Sequence, residues 1–225
     1  MEYKNEKRVD KIICHSATQD LITTFFEKDS PFEGNLLEKI GENHPTKIGI
    51  DDLLAITMLD VSVRPPGIRR LIFDTAVSAK ITSLLKAIPP DVDIWSGGNH
   101  LARGGKAWEL SALLQRKGDG IAAVTAGKLL ARKRPRLIPI LDRVVGRIIV
   151  VKRRDQWDFF VRYLSEAQRR SKLDSMNLAN LDPGVSTLRI LDVSLWMWGS
   201  EGRYAKTARA SAGLNDSERE KVLSS

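Results

Sequence analysis

Between Gly118 and Val151 a glycine turn, a short helix, a dense basic run and a lone carboxylate follow one another. Gly118 and Gly120 flank Asp119, and glycine's tolerance of positive φ makes this a tight turn. A helix that starts straight after such a turn leaves its first backbone N–H groups unpaired. Those amides and the positive helix end attract a phosphate. The small residues Gly120, Ala122 and Ala123 would let a nucleic-acid backbone come close. Arg132, Lys133, Arg134 and Arg136 form a basic knot, which alone reads as a solvated face and beside a phosphate-ready turn reads as a backbone contact. Ile138-Pro139-Ile140-Leu141 is too apolar for a surface loop and should carry the chain through the interior to Asp142. The stretch reads as a DNA-backbone clamp followed by an active-site aspartate. The plain alternative for Asp142 is an N-cap of the helix that follows it.

The elements that position these residues follow from spacing. Trp108 to Leu114 is apolar at helical intervals, and Val124, Gly127, Leu130 and Ala131 share a face, so the unit is helix, tight turn, helix. Arg134 precedes Pro135, which should stop the second helix. The β-branched run after Asp142 could be a strand, but Val144, Val145, Ile148, Ile149 and Val151 also fit one helical face, and a helix is expected. Upstream, residues 1–11 should be frayed or partly helical. An amphipathic helix is expected over 18–28, a short helical piece over 36–40, and a helix over 52–59 capped by Asp51. Residues 61–66 should be extended because of Pro65 and Pro66, with helices over 68–76 and 78–88. Beyond Val151, one helix is expected to run to Arg170, with Trp157, Phe160, Val161 and Leu164 as a core face. A polar connector over 171–183 and a buried helix over 185–198 should follow, then a loosely docked tail over 206–225.

The loop over 89–100 carries Trp95, Asn99 and His100 around Gly97-Gly98. One reading is a core plug by Trp95 and a flexible turn. The functional reading is a pocket wall, with Trp95 stacking on an extruded base and Asn99 or His100 reading its edge.

At 225 residues the chain can bury a sizeable core, and its net charge of +8 points to a polyanionic partner. Its single cysteine excludes an intramolecular disulfide and a four-cysteine iron–sulfur cluster. The scatter of His15, His44 and His100 shows no ligand spacing, so no metal and no cofactor are expected. With no signal peptide and no long apolar run, a cytoplasmic protein without membrane association is expected.

This pattern resembles the helix-hairpin-helix DNA glycosylase superfamily. Gly120, Ile121, Thr125 and Ala126 match its hairpin, Asp142 falls at its catalytic spacing after Thr125, and Arg147 matches the arginine five residues after the aspartate. Ala122 replaces the second hairpin glycine, Gly118-Asp119 replaces leucine-proline, and Val124 stands where lyase members carry a lysine. The resemblance covers about 30 of the residues; the whole chain also resembles a bacterial family of unknown function.

The resemblance implies an all-α fold of about ten helices in two lobes around a cleft. Residues 51–150 would form one lobe, with the hairpin at about 105–132 and Asp142 at the cleft mouth. Residues 1–50 and 151–225 would form the other. It implies a monofunctional DNA glycosylase with Asp142 as catalytic residue, acting on double-stranded DNA with a damaged or modified base, including hypermodified phage DNA in antiviral defence. Gly120, Ile121, Ala122, Val124, Thr125, Lys128, Arg132, Lys133, Arg134, Arg136 and Arg147 would contact the DNA. A monomer is expected. The alternative is a helix-hairpin-helix protein that binds DNA without chemistry.

Overall fold

The computed structural model describes residues 4–176 and 185–225, without the side chain of Arg153. Among these residues every regular element is helical, and extended pairing is confined to one antiparallel bridge between Arg116 and Ile121. The expected connector over 171–183 lies partly outside the described residues, and its described start, up to Ser175, is helical rather than a connector. The chain forms two compact units, one from the residues up to Phe32 together with those from Leu141 onward, the other from Glu33–Ile140.

The first unit opens with α1 (Lys4–Cys14) and α2 (Ser16–Phe26). The inserted unit holds α3 (Ile50–Ala55), α4 (Pro65–Ile68), α5 (Thr75–Lys86), α6 (Gly98–Leu101), α7 (Lys106–Leu114) and α8 (Ala123–Lys133). The chain then returns to the first unit for α9 (Arg143–Ile149), α10 (Gln156–Ser165), α11 (Ala167–Ser175), α12 (Thr187–Gly199), α13 (Arg203–Ser211) and α14 (Asp216–Ser224). The boundaries expected at residues 50/51 and 150/151 therefore fall at 32/33 and 140/141. The reason for the later shift is α9, which packs against α1 and α12.

Local chemistry explains most departures from the expected boundaries. The charged start is ordered as α1 because its charges find partners: Glu6 pairs with Arg162 and Arg169, and Arg8 donates to the Ile148 carbonyl at 2.8 Å. Pro65 and Pro66 start a helix, proline being well suited to a first helical turn that needs no amide partner. The α4 helix widens into a π-helical turn over Arg69–Phe73 before Asp74 caps α5. Gly49, not Asp51, caps α3; Asp51 instead accepts the Glu42 amide at 2.8 Å.

In the first unit α12 is buried on almost every side and packs on α2 and α9. Gly199 permits the crossing with α9, since a Cβ there would lie 2.7 Å from Val144 Cγ1 and 2.8 Å from Ile148 Cδ1. The tail is not loosely docked. It forms α13 and α14, and their arginines cap the bare carbonyls at the end of α12. Arg209 donates to Met197 at 2.6 Å and to Ser200 at 2.9 Å, and Arg219 donates to Trp198 at 2.7 Å. These residues look solvated in a polar sequence, yet Arg209 is 2% and Arg219 8% exposed.

The α9 helix ends on Val150 in the left-handed region, with φ 47° and ψ 48°, which crowds a β-branched side chain. Relief of about 1–2 kcal/mol, less the roughly 0.5–1 kcal/mol lost to glycine's chain entropy, favours glycine here. The Val150 side chain is largely exposed, so little burial is forfeited. Val150→Gly is expected to raise the thermal midpoint by about 1–3 °C. Differential scanning calorimetry checks this, and a lowered midpoint would refute it.

Candidate functional site

The turn between α7 and α8 is a small braced hairpin. After Leu114 the chain runs extended to Arg116, whose N–H donates to the Ile121 carbonyl at 3.0 Å. A 3-10 turn over Lys117–Asp119 leads to Gly120 at φ +76°, where a side chain would be strained. Asp119 is buried and accepts from Arg70 Nε. Arg70 also donates to the Leu113 carbonyl at 3.0 Å and the Leu114 carbonyl at 2.7 Å, so one guanidinium ties the turn to the end of α7. Gln115, Arg116, Lys117, Gly118 and Ala122 remain exposed. Ala122 caps α8 without a side-chain acceptor, and the first amides of α8 face no partner among the described residues.

Of the expected contact residues, Gly120 and Val124 are half-buried, Ala122 is exposed, and Ile121 and Thr125 are buried. The basic knot does not form a surface. Arg132, Lys133 and Arg134 are 3%, 2% and 1% exposed. Arg132 donates to Leu37 at 2.6 Å and Ile40 at 2.5 Å. Arg134 donates to Ile88 at 2.7 Å, Leu85 at 2.5 Å and Pro45 at 3.0 Å. Lys133 meets Asp52 at 2.8 Å. Burial lowers the Lys133 pKa, an effect Asp52 only partly offsets, and burial pushes that of Arg134 down to about 10. The knot is an internal clasp that satisfies carbonyl groups of the preceding loops. Lys128 is likewise turned inward, donating to the Leu59 carbonyl at 2.5 Å. Arg136 is exposed but held by Asp93 through contacts of 2.8 and 2.7 Å.

The exposed cations instead sit on the turn itself, as Arg116 and Lys117, with Arg64 beside it. The sequence signal for the first two was adjacency to Gly118, overshadowed by the denser run downstream. Arg64 is far off in sequence and carries no such signal.

Asp142 is the N-cap of α9. Its Oδ1 accepts the amides of Val144 at 2.8 Å and Val145 at 2.9 Å. Among the described residues its side-chain hydrogen bonds all fall on Oδ1, and the residue is only half-buried. The cap thus orients the carboxylate and leaves one oxygen uncommitted. Arg143 and Arg147, four residues apart and both exposed, lie on the same face of α9. Asp142 and Arg147 belong to the first unit and the hairpin to the second.

Trp95, Asn99 and His100 also belong to the second unit. The plug of that loop is Ile94, which is 0% exposed, whereas Trp95 is half-buried. Asn99 is exposed and His100 half-buried on α6. Of the other histidines, His15 caps α2 and His44 accepts the Thr46 amide. No helix among the described residues is long and apolar enough to cross a membrane.

Residues 18–199 match a family described as a family of unknown function, DUF6308. The chain belongs to this family. The match begins within α2 and ends with α12, so both the hairpin and Asp142 are DUF6308 residues, whereas α1, α13 and α14 lie outside the matched span. No curated protein and no solved structure matches the chain.

Proposed function

We propose that this DUF6308 protein is a monofunctional DNA glycosylase that hydrolyses the N-glycosidic bond of a damaged or modified base in double-stranded DNA. The observation that carries the reading is the half-occupied carboxylate of Asp142, with Oδ1 fixed by two amides and Oδ2 without a partner among the described residues. As a base leaves C1′ the sugar gains positive charge, and a fixed carboxylate stabilises that charge or takes a proton from the attacking water. Water supplies the new C1′–O bond, and the base departs with the bonding pair of the broken C1′–N bond. Val124, where lyase members carry a lysine, offers no amine for a Schiff base, so an intact strand with an abasic site is the expected product. The target base must leave the stack before it can react. Duplex affinity is assigned to the hairpin, with Arg116 and Lys117 in place of the buried knot.

A base-release assay tests the reading. Purified protein is incubated with duplexes bearing alkylated, deaminated or oxidised bases and with DNA from phages that carry hypermodified bases. Free base and abasic sites in uncut strands are the expected products. Release from phage DNA alone would assign an antiviral role. Duplex binding without release across the panel would support the non-catalytic DNA-binding reading.

A further inference from the structure

Arg64 is held against the hairpin by three independent constraints. It precedes Pro65, which restricts it to extended backbone, and it adopts φ −71° and ψ 158°. Its N–H donates to the Asp119 carbonyl at 3.3 Å. Its aliphatic stem lies over Gly120, where a Cβ would come within 2.9 Å of Arg64 Cγ and Cδ and 3.2 Å of Nε. Gly67 completes the approach, since a Cβ there would meet Val63 Cγ1 at 2.6 Å and Asp119 at 3.1 Å. The residue is nonetheless exposed, and among the described residues its guanidinium makes no hydrogen bond or ion pair.

The charge balance around it is one-sided. The acid of the turn, Asp119, is already committed to Arg70. Arg64, Arg116 and Lys117 therefore present cations with no carboxylate partner among the described residues. A long side chain whose stem is fixed and whose charged head is left open loses little freedom when it meets an anion. Gly120, held in the left-handed region by the turn, presents no side chain to lift the Arg64 stem off it.

We propose that Arg64 is a phosphodiester contact of the hairpin, reaching the DNA backbone from outside the α7–α8 segment. The proposal rests on the DNA-binding part of the reading above and not on base release. Arg64 adds a forked donor to the point charge of Lys117, so the turn grips a phosphate from two separate stretches of chain.

The test is duplex binding by fluorescence anisotropy across a salt series. Arg64→Gln keeps Cγ and Cδ over Gly120 and removes the charge, so the fold is preserved, as a matched thermal midpoint will verify. The slope of log affinity against log salt should fall by about 0.9, and affinity near 0.1 M salt should drop about tenfold. Arg64→Lys should restore the slope. At matched ionic strength, inorganic phosphate should displace the duplex from the wild type no better than chloride does; preferential displacement by phosphate would show a free-phosphate site and overturn the proposal. An unchanged slope in Arg64→Gln, together with a reduced one in Arg116→Gln/Lys117→Gln, would overturn it and leave the DNA-binding reading standing. Wild-type protein that binds no duplex at any salt would overturn both. An Arg64-dependent slope on duplex RNA alone would also overturn it.

Discussion

Asp142→Asn should reduce base release by about 10²–10⁴-fold while leaving the fold and duplex affinity unchanged. Asparagine is as good an N-cap as aspartate, so its side-chain oxygen can keep accepting the amides of Val144 and Val145. What disappears is the negative charge, and with it the carboxylate oxygen free to face a cationic sugar or a water. Asp142→Ala loses both functions, with a capping cost of about 1 kcal/mol and a thermal midpoint lower by about 2–4 °C. The pair of variants therefore separates chemistry from capping. The measurements are abasic-site formation, duplex affinity and thermal unfolding on each. If Asp142→Asn releases base at the wild-type rate, the aspartate is a cap only and the catalytic assignment is lost.

The fold class was legible because α2, α7, α8 and α12 announce themselves through apolar spacing and their ends through proline, glycine and capping residues. Asp142 was legible as a special position, and both of its readings, cap and reactive carboxylate, are compatible with its geometry. The basic knot was misread because charge density says nothing about direction. Arg132, Lys133 and Arg134 occupy the last turn of α8 and the residue after it, where loop carbonyls rather than water surround them. A sequence reads three cations as surface because burying unpaired charge is costly, and here carbonyl groups and Asp52 lift that cost. The same blind spot hid the docking of the tail, where Arg209 and Arg219 look solvated and act as caps for α12. Arg64 lay beyond reach for another reason: its link to the hairpin spans more than fifty positions and depends on Gly67 and Gly120, whose value lies in what they leave empty.

Arg70→Met is the substitution expected to cost the most stability, about 3–5 kcal/mol, because it strands the Asp119 carboxylate in a buried site. Arg70 is 8% and Asp119 4% exposed, and the same guanidinium also serves the carbonyls of Leu113 and Leu114. The loss should appear first as faster hydrogen exchange in α7, the turn and the start of α8, and then as a lower urea midpoint. Arg70→Met/Asp119→Leu should recover much of it, since removing both partners leaves no uncompensated charge. Duplex affinity should also fall in Arg70→Met, although a buried guanidinium cannot reach a phosphate; the effect would run through a turn no longer held open beneath Arg64, Arg116 and Lys117. The double variant decides between brace and filler. If it restores stability but not duplex affinity, the ion pair sets the shape of the turn as well as its depth. If Arg70→Met costs less than about 1 kcal/mol, the range typical of an exposed pair, the brace contributes little and the hairpin is held by the packing of α7 on α8.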